Sequence, residues 1–133
     1  MILLDTNALI WLDDGSDRLG SQSLALIRAK WQQESVFVSA ISFWECAMLE
    51  RDRRVAFPQS VVAWRASMLD KGTREIALDG AVAAAAVTLA LPYKDPADRF
   101  IIATALAKEA VLVTADERIL GWHGQLRRQD ARL

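Results

Sequence analysis

Short apolar runs alternate with longer amphipathic stretches along this chain. Ile2-Leu3-Leu4, Ser35-Val36-Phe37-Val38, Glu75-Ile76-Ala77-Leu78 and Val111-Leu112-Val113 are the runs. Their apolar residues do not alternate with polar ones, as expected of strands covered on both faces. Helical patterns lie between them. Ala8–Leu12 is the first, stopped by Asp13-Asp14-Gly15. A second starts at Leu19-Gly20-Ser21 with Leu24, Ile27, Ala29 and Trp31 as its apolar positions. The segment Ile41–Leu49 offers a stripe of Ile41, Trp44, Ala47 and Met48 at i, i+3, i+4 spacing. Pro58 suits the first turn of the next helix, which carries Val61, Val62, Trp64, Met68 and Leu69 and ends at Lys71-Gly72. Asp79-Gly80 caps an alanine-rich helix reaching about Leu91, and a loop over Pro92–Pro96 follows. Ala97–Ala110 turns Ile101, Ala105 and Leu106 inward, Glu117–Leu120 is one short turn, and the tail beyond is polar.

Strand–helix alternation of this kind predicts an α/β fold. Residues 1–133 are expected to form a single domain with a mainly parallel central sheet of about four to five strands, flanked by helices on both faces. A chain of this length buries enough surface to need no staples.

Composition removes several kinds of chemistry. One cysteine, Cys46, excludes an internal disulfide framework and a cysteine-based zinc cluster. Its apolar neighbours mark it as a buried structural thiol. One histidine, His123, excludes histidine-rich metal sites. The net charge of −1 gives no overall basic excess, so any nucleic-acid surface has to be local. Arg51-Asp52-Arg53-Arg54 and Arg127-Arg128 are the candidate patches, although ordinary solvated charge is the favoured reading of each. The first apolar run is broken by Asp5 and no apolar segment reaches about 18 residues, so neither a signal peptide nor a membrane span is expected, and the expected location is the cytoplasm.

What remains is a set of acids. Asp5 follows the first strand and Asp116 follows the fourth; Glu45 and Asp98 fall in the first turns of predicted helices. In a parallel sheet these places meet at the carboxyl edge, where α/β proteins bind ligands. Two carboxylates about 4 Å apart repel by roughly 4 kcal/mol at an effective dielectric near 20. A hard divalent cation removes the conflict, and an all-oxygen donor set selects Mg2+ or Mn2+ over zinc. Such an ion activates water and stabilises a phosphodiester under in-line attack, without histidine or cysteine. Each acid also has a structural reading. Asp5 and Asp79 suit helix N-caps, Ser42-x-x-Glu45 has the form of a capping box, and Asp95-Pro96-Ala97-Asp98 resembles the start of one. Four independent caps have no reason to converge on one sheet edge, so the set favours the cation.

The segments Leu3-Leu4-Asp5-Thr6-Asn7, Ser42-Phe43-Trp44-Glu45, Asp95-Pro96-Ala97-Asp98-Arg99-Phe100-Ile101-Ile102-Ala103-Thr104-Ala105 and Thr114-Ala115-Asp116 occur in an order and spacing that resemble a PIN domain. They are closer still to a VapC-type ribonuclease toxin of a type II toxin–antitoxin pair. The resemblance implies Mg2+- or Mn2+-dependent cleavage of single-stranded RNA, with Asp5, Glu45, Asp98 and Asp116 as the acidic quartet that holds the metal. It also implies a homodimer and a VapB-like antitoxin. Asp5 and Asp98 are the foremost ligands; Glu45 and Asp116 complete the site directly or through water. Thr6, Asn7 and Thr114 are candidates to orient the carboxylates, with local turn hydrogen bonds as the competing role for Asn7 and Thr114. Asp95 is expected to brace the loop or Arg99. Arg99 is expected either to contact a phosphate or to hold a carboxylate in an ion pair.

Trp11, Trp44 and Trp64 fall at helical core spacing, which favours packing over base stacking. Exposed apolar residues on the first two helices and on the Trp64 helix are candidate dimer or antitoxin surfaces. Two other enzyme readings compete with the toxin: a PIN-domain RNA-processing nuclease without an antitoxin, and a phosphotransferase of the haloacid dehalogenase type. The latter also begins with an aspartate after a first strand, but it needs a second acid where this chain has Asn7. A third alternative is a binding module that keeps the fold without the chemistry; the complete quartet argues against it. A nucleotide-binding Rossmann turn is disfavoured because Asp5-Thr6-Asn7 stands where a glycine-rich turn belongs.

Overall fold

A computed structural model describes residues 1–133. In chain order the elements are β1 (Ile2–Leu4), α1 (Thr6–Asp14), α2 (Ser21–Gln32), β2 (Val36–Ser39), α3 (Ala40–Arg51), α4 (Val61–Asp70), β3 (Arg74–Ile76), α5 (Gly80–Val87), α6 (Pro96–Ala107), β4 (Val111–Thr114), α7 (Glu117–Leu120) and β5 (Arg128–Asp130). The five strands are all parallel, in the order β3-β2-β1-β4-β5. The α/β sheet expected from the sequence is therefore present.

Alternate strand residues feed two cores. Ile2 and Leu4 of β1, Val36 and Val38 of β2 and Val113 of β4 pack with α1, α2, α3 and α4 through Leu9, Ile27, Phe43 and Trp64. Leu3 and Leu112 point the other way, onto Ile101, Ile102 and Ala105 of α6 and Ile119 of α7. Helix α5 lies outside α6, with Val82 and Ala86 against Ala103, which explains its small residues. Each fully buried aliphatic side chain contributes roughly 1.5–3 kcal/mol. The three-residue β1 is wholly buried for this reason.

Several boundaries and faces differ from the sequence reading. Strand β5 was not expected: Arg128-Gln129-Asp130 carries no apolar residue, and as an edge strand it needs none on its open side. Strand β3 begins and ends earlier than Glu75–Leu78, α5 stops at Val87 rather than near Leu91, and α6 ends at Ala107. Pro58 precedes α4, whose cap is Ser60. Helix α3 buries Ser42, Phe43 and Cys46, not the stripe through Trp44, and Trp44 is 50% exposed. The apolar pattern misplaced that face because Ser42 is polar yet fully buried, against Thr6. Trp64 is buried as expected and Trp11 half-buried. Gly15, with φ of 67°, ends α1 and returns its N–H to the Trp11 carbonyl.

Candidate active site

Strand order reverses between β1 and β4, which are neighbours, and the crevice at that point opens at their carboxyl ends. Asp5 is fixed there by the sheet itself, its N–H donating to the Val113 carbonyl at 3.0 Å. Its carboxylate is then divided. Oδ1 caps α1 by accepting from the Ala8 N–H at 2.8 Å, and Oδ2 accepts from the Thr114 hydroxyl at 2.5 Å. The cap reading of Asp5 is correct, and Asp5 lines the crevice as well.

Glu45 is no cap. The cap of α3 is Ser39, whose hydroxyl accepts from the Ile41 N–H, so the Ser42-x-x-Glu45 capping box does not form. Ser42 lies instead 3.0 Å from the Thr6 hydroxyl, and Thr6 donates to Glu45 Oε1. More than a turn into α3, Glu45 lines the crevice with Thr6 holding one of its oxygens. Asp98 is likewise not a cap: Asp95 is the cap of α6 and accepts from the Asp98 N–H at 3.2 Å. Asp98 sits in the first helical turn, where the dipole favours an anion. Asp116 caps the single turn of α7 through the Arg118 N–H at 2.8 Å.

All four acids line one cavity of about 310 Å3, together with Thr6 and Asn7. No three acidic side chains are gathered closely enough in this conformation to hold one ion. Each is held at the wall by its own partner: Thr114 on Asp5, Thr6 on Glu45, and Arg118 on Asp116 and Asp98. The sequence places the four acids on one cavity but not on one point. The lining nonetheless suits a hard cation: the four acids offer carboxylate oxygens, Asp52 adds another on the wall, and no histidine or cysteine is among the lining residues.

The electrostatics record burial first and crowding second. Burial, opposed by hydrogen bonds from Thr114 and Ala8, pushes Asp5 up to about 6, with a further push from Asp116. Burial raises Asp98 to about 7, helped by the charges of Asp95, Asp116 and Glu45. Glu45 is raised too, by burial first, although Thr6 opposes it. Partial burial would lift Asp116 as well, but the hydrogen bonds and charge of Arg118 outweigh it and hold that carboxyl below its usual range. Perturbed acids gathered in one cleft are a physical signature of a functional site.

The remaining predicted residues divide. Thr6 and Thr114 touch carboxylates, as expected of groups that orient them. Asn7 is exposed and lines the cavity. Asp95 caps α6 and adds negative charge felt by Glu45 and Asp98; it does not brace Arg99. Arg99 forms no ion pair with a carboxylate. Its guanidinium donates to the carbonyls of Ala86, Leu89 and Tyr93 at 3.0–3.1 Å, closing the loop between α5 and α6. Arg128 is spent the same way on Ile119, Trp122 and Gly124, which removes the basic patch proposed at Arg127-Arg128. In the other patch Arg51 pairs with Asp52, and Arg54 stands on the cavity wall. Burial pushes the Cys46 thiol up to about 12, in keeping with a structural role.

Arg118 was not singled out from the sequence. An arginine two residues after an acid reads as solvated charge, and only the turn of α7 brings it back over Asp116 and Asp98. Tyr93 was also missed; its ring lies 4.0 Å beneath the Arg118 guanidinium.

The family model of the PIN domain matches residues 2–121, which contain the whole quartet. This chain belongs to the PIN domain family. A PIN-domain relative, Ribonuclease VapC22 of Mycobacterium tuberculosis, is 34% identical over 119 residues, or 89% of this chain and 88% of that protein. The VapC resemblance is thereby borne out. Two solved structures share the fold. A chain in a toxin–antitoxin complex from Klebsiella pneumoniae has a TM-score of 0.62 at 20% identity, covering 95% of each chain. A chain in the structure of FitAB bound to an IR36 DNA fragment has a TM-score of 0.55 at 24% identity, covering 88% of this PIN domain and 86% of that chain. Membership of the PIN family also removes the ground for the phosphotransferase alternative. No helix of this PIN domain is long and apolar enough to cross a membrane.

Proposed function

We propose that this PIN domain is an endoribonuclease that cleaves single-stranded RNA with Mg2+ or Mn2+, and that it is the toxin of a VapB–VapC-like pair acting in the cytoplasm. The observation that carries the reading is the meeting of Asp5, Glu45, Asp98 and Asp116, from four separate elements, on one cavity at the strand-order reversal. The similarity to Ribonuclease VapC22 over most of both chains supports RNA as the substrate. The four acids are the residues that would hold the cation. When bound, it supplies Lewis acidity toward the scissile phosphodiester and a more acidic attacking water. The chain's own residues do the rest. Thr114 and Thr6 fix the carboxylate orientations on which ligand geometry depends. Asn7 and Arg54, on the cavity wall, are placed to meet the RNA backbone.

An antitoxin partner is supported by the toxin–antitoxin context of a fold neighbour and by a largely apolar groove of about 560 Å3 between α1, α2 and α4, walled by Leu12, Leu24, Ile27, Trp31 and Met68. The proposed homodimer has candidate contact residues in Val62 and Trp44, 83% and 50% exposed. The test is cleavage of tRNA and rRNA substrates by the purified chain in Mg2+ or Mn2+. Activity abolished by EDTA and by Asp5→Asn is expected; absence of cleavage on every substrate in either metal contradicts the reading. Co-purification with an inhibitory small protein encoded next to it separates the toxin from an RNA-processing PIN nuclease without an antitoxin.

A further inference from the structure

Two of the four acids already share a cation that the chain supplies. The Arg118 guanidinium grips Asp116 with both arms, Nε to Oδ1 at 3.2 Å and Nη2 to Oδ2 at 2.9 Å. The same Nη2 reaches Asp98 Oδ2 at 3.4 Å. Its backbone is fixed as well, since its N–H is the one that Asp116 caps. Tyr93 supports the guanidinium from beneath, 4.0 Å from the ring centroid, a geometry that favours a cation over an aromatic face. The side chain of Arg118 is 53% exposed, whereas those of Asp98 and Asp116 are 16% and 24% exposed. The cation thus stands on the rim with the acids below it. No other lysine or arginine pairs with any of the four acids. The neighbouring Arg99 and Arg128 are engaged on main-chain carbonyls.

We propose that Arg118 is a positioning residue that serves as the resident counter-cation of these acids, holding Asp116 and Asp98 at the rim and yielding Asp98 when a divalent cation binds. The inference rests on the reading of the four acids as a cation site. Two features give it direction. The contact to Asp98 is the long one, at the edge of hydrogen-bonding distance, and is the easier to give up. A divalent ion held by acids of this cavity would carry twice the charge of the arginine, which touches two of them from the rim. Arg118 therefore stabilises the crowded acids and competes with a divalent cation for Asp98.

Arg118→Gln separates these effects when melting temperature and Mn2+ affinity are measured on the whole chain. In EDTA the variant is expected to melt below the wild type, because the acids lose their cation. In saturating Mn2+ the two should melt together. Mn2+ should bind the variant on the order of fivefold more tightly, the equivalent of one well-formed ion pair between partly exposed groups. Arg118→Lys keeps the charge but loses the two-armed grip, and should fall between the two. If Arg118→Gln fails to fold, Arg118→Lys carries the comparison, with tighter Mn2+ binding expected and unchanged or weaker binding overturning the proposal. A melting deficit of equal size in both media would make Arg118 an ordinary surface pair. Weaker Mn2+ binding by Arg118→Gln would make it a support the ion requires. Either outcome overturns the proposal while leaving the nuclease reading intact. A wild type that binds no Mn2+ removes both.

Discussion

One hydroxyl sets the relation between two of the acids. Thr114 Oγ1 accepts from the Asp116 N–H at 3.1 Å and donates to Asp5 Oδ2, so the end of β4 gauges the distance from one carboxylate to the next. Thr114→Val removes that donor from a carboxylate that is itself buried. The expected result is a loss of about 1–3 kcal/mol of stability and Mn2+ binding weakened roughly 10- to 100-fold, read by chemical denaturation and calorimetry; Thr114→Ser should retain both properties. The four acids were legible in the sequence because each sits at a fixed offset from a strand or a helix start, and those offsets survive folding. The hydrogen-bond partners were less legible. Thr6 reaches Glu45 across 39 positions and Thr114 reaches Asp5 across 109, and no local pattern carries such pairings. Arg118 was missed for the opposite reason: its contacts with Asp116 are so local that they resemble a surface pair.

At the scale of elements, apolar runs revealed the buried strands, whereas the edge strand β5 had no such mark. What holds β5 is backbone: Leu112 donates to the Arg127 carbonyl, Ala131 donates to the Thr114 carbonyl, and Gly20 donates to the Ala131 carbonyl. Gly20 is the residue that allows the tail to approach α2, because a Cβ there would overlap the backbone of Arg132 and Leu133. Gly20→Ala should therefore push the C-terminal segment off α2, costing about 1–3 kcal/mol, with faster amide exchange concentrated in residues 128–133. Arg99 holds another joint. With three carbonyls depending on its guanidinium, Arg99→Met should cost about 1–3 kcal/mol and speed exchange between Ala86 and Asp95. Its effect on the acids is indirect, through the loop that delivers Asp95 and Asp98 at the start of α6. A role for Arg99 in binding phosphate predicts the reverse pattern, intact stability with weakened RNA binding.

The whole molecule is a parallel sheet whose order reverses beside β1, and that reversal decides where charge accumulates. Burying acids there, close to one another, has a cost that varies with pH. Asp5 and Asp98, raised from 3.8 to about 6 and about 7, bind protons more tightly folded than unfolded. Their contribution to stability is complete below the unfolded value and is lost as pH rises through about 6 and about 7. Glu45, also raised, acts in the same direction. Asp116 is lowered, so its contribution changes at the acid end, outside this window. In EDTA the melting temperature should therefore decline between about pH 4 and pH 8, and saturating Mn2+ should flatten or reverse that decline, because the ion binds the ionised acids. A melting temperature that rises steadily across that window in EDTA would contradict the electrostatic account. The most direct test of the central claim is calorimetric titration of Mn2+ into the wild type and Asp98→Asn at neutral pH. The account predicts saturable binding to the wild type and at least tenfold weaker binding to the variant, which keeps the shape of the acid and removes its charge. Superimposable titrations, or no Mn2+ binding to the wild type, would contradict it.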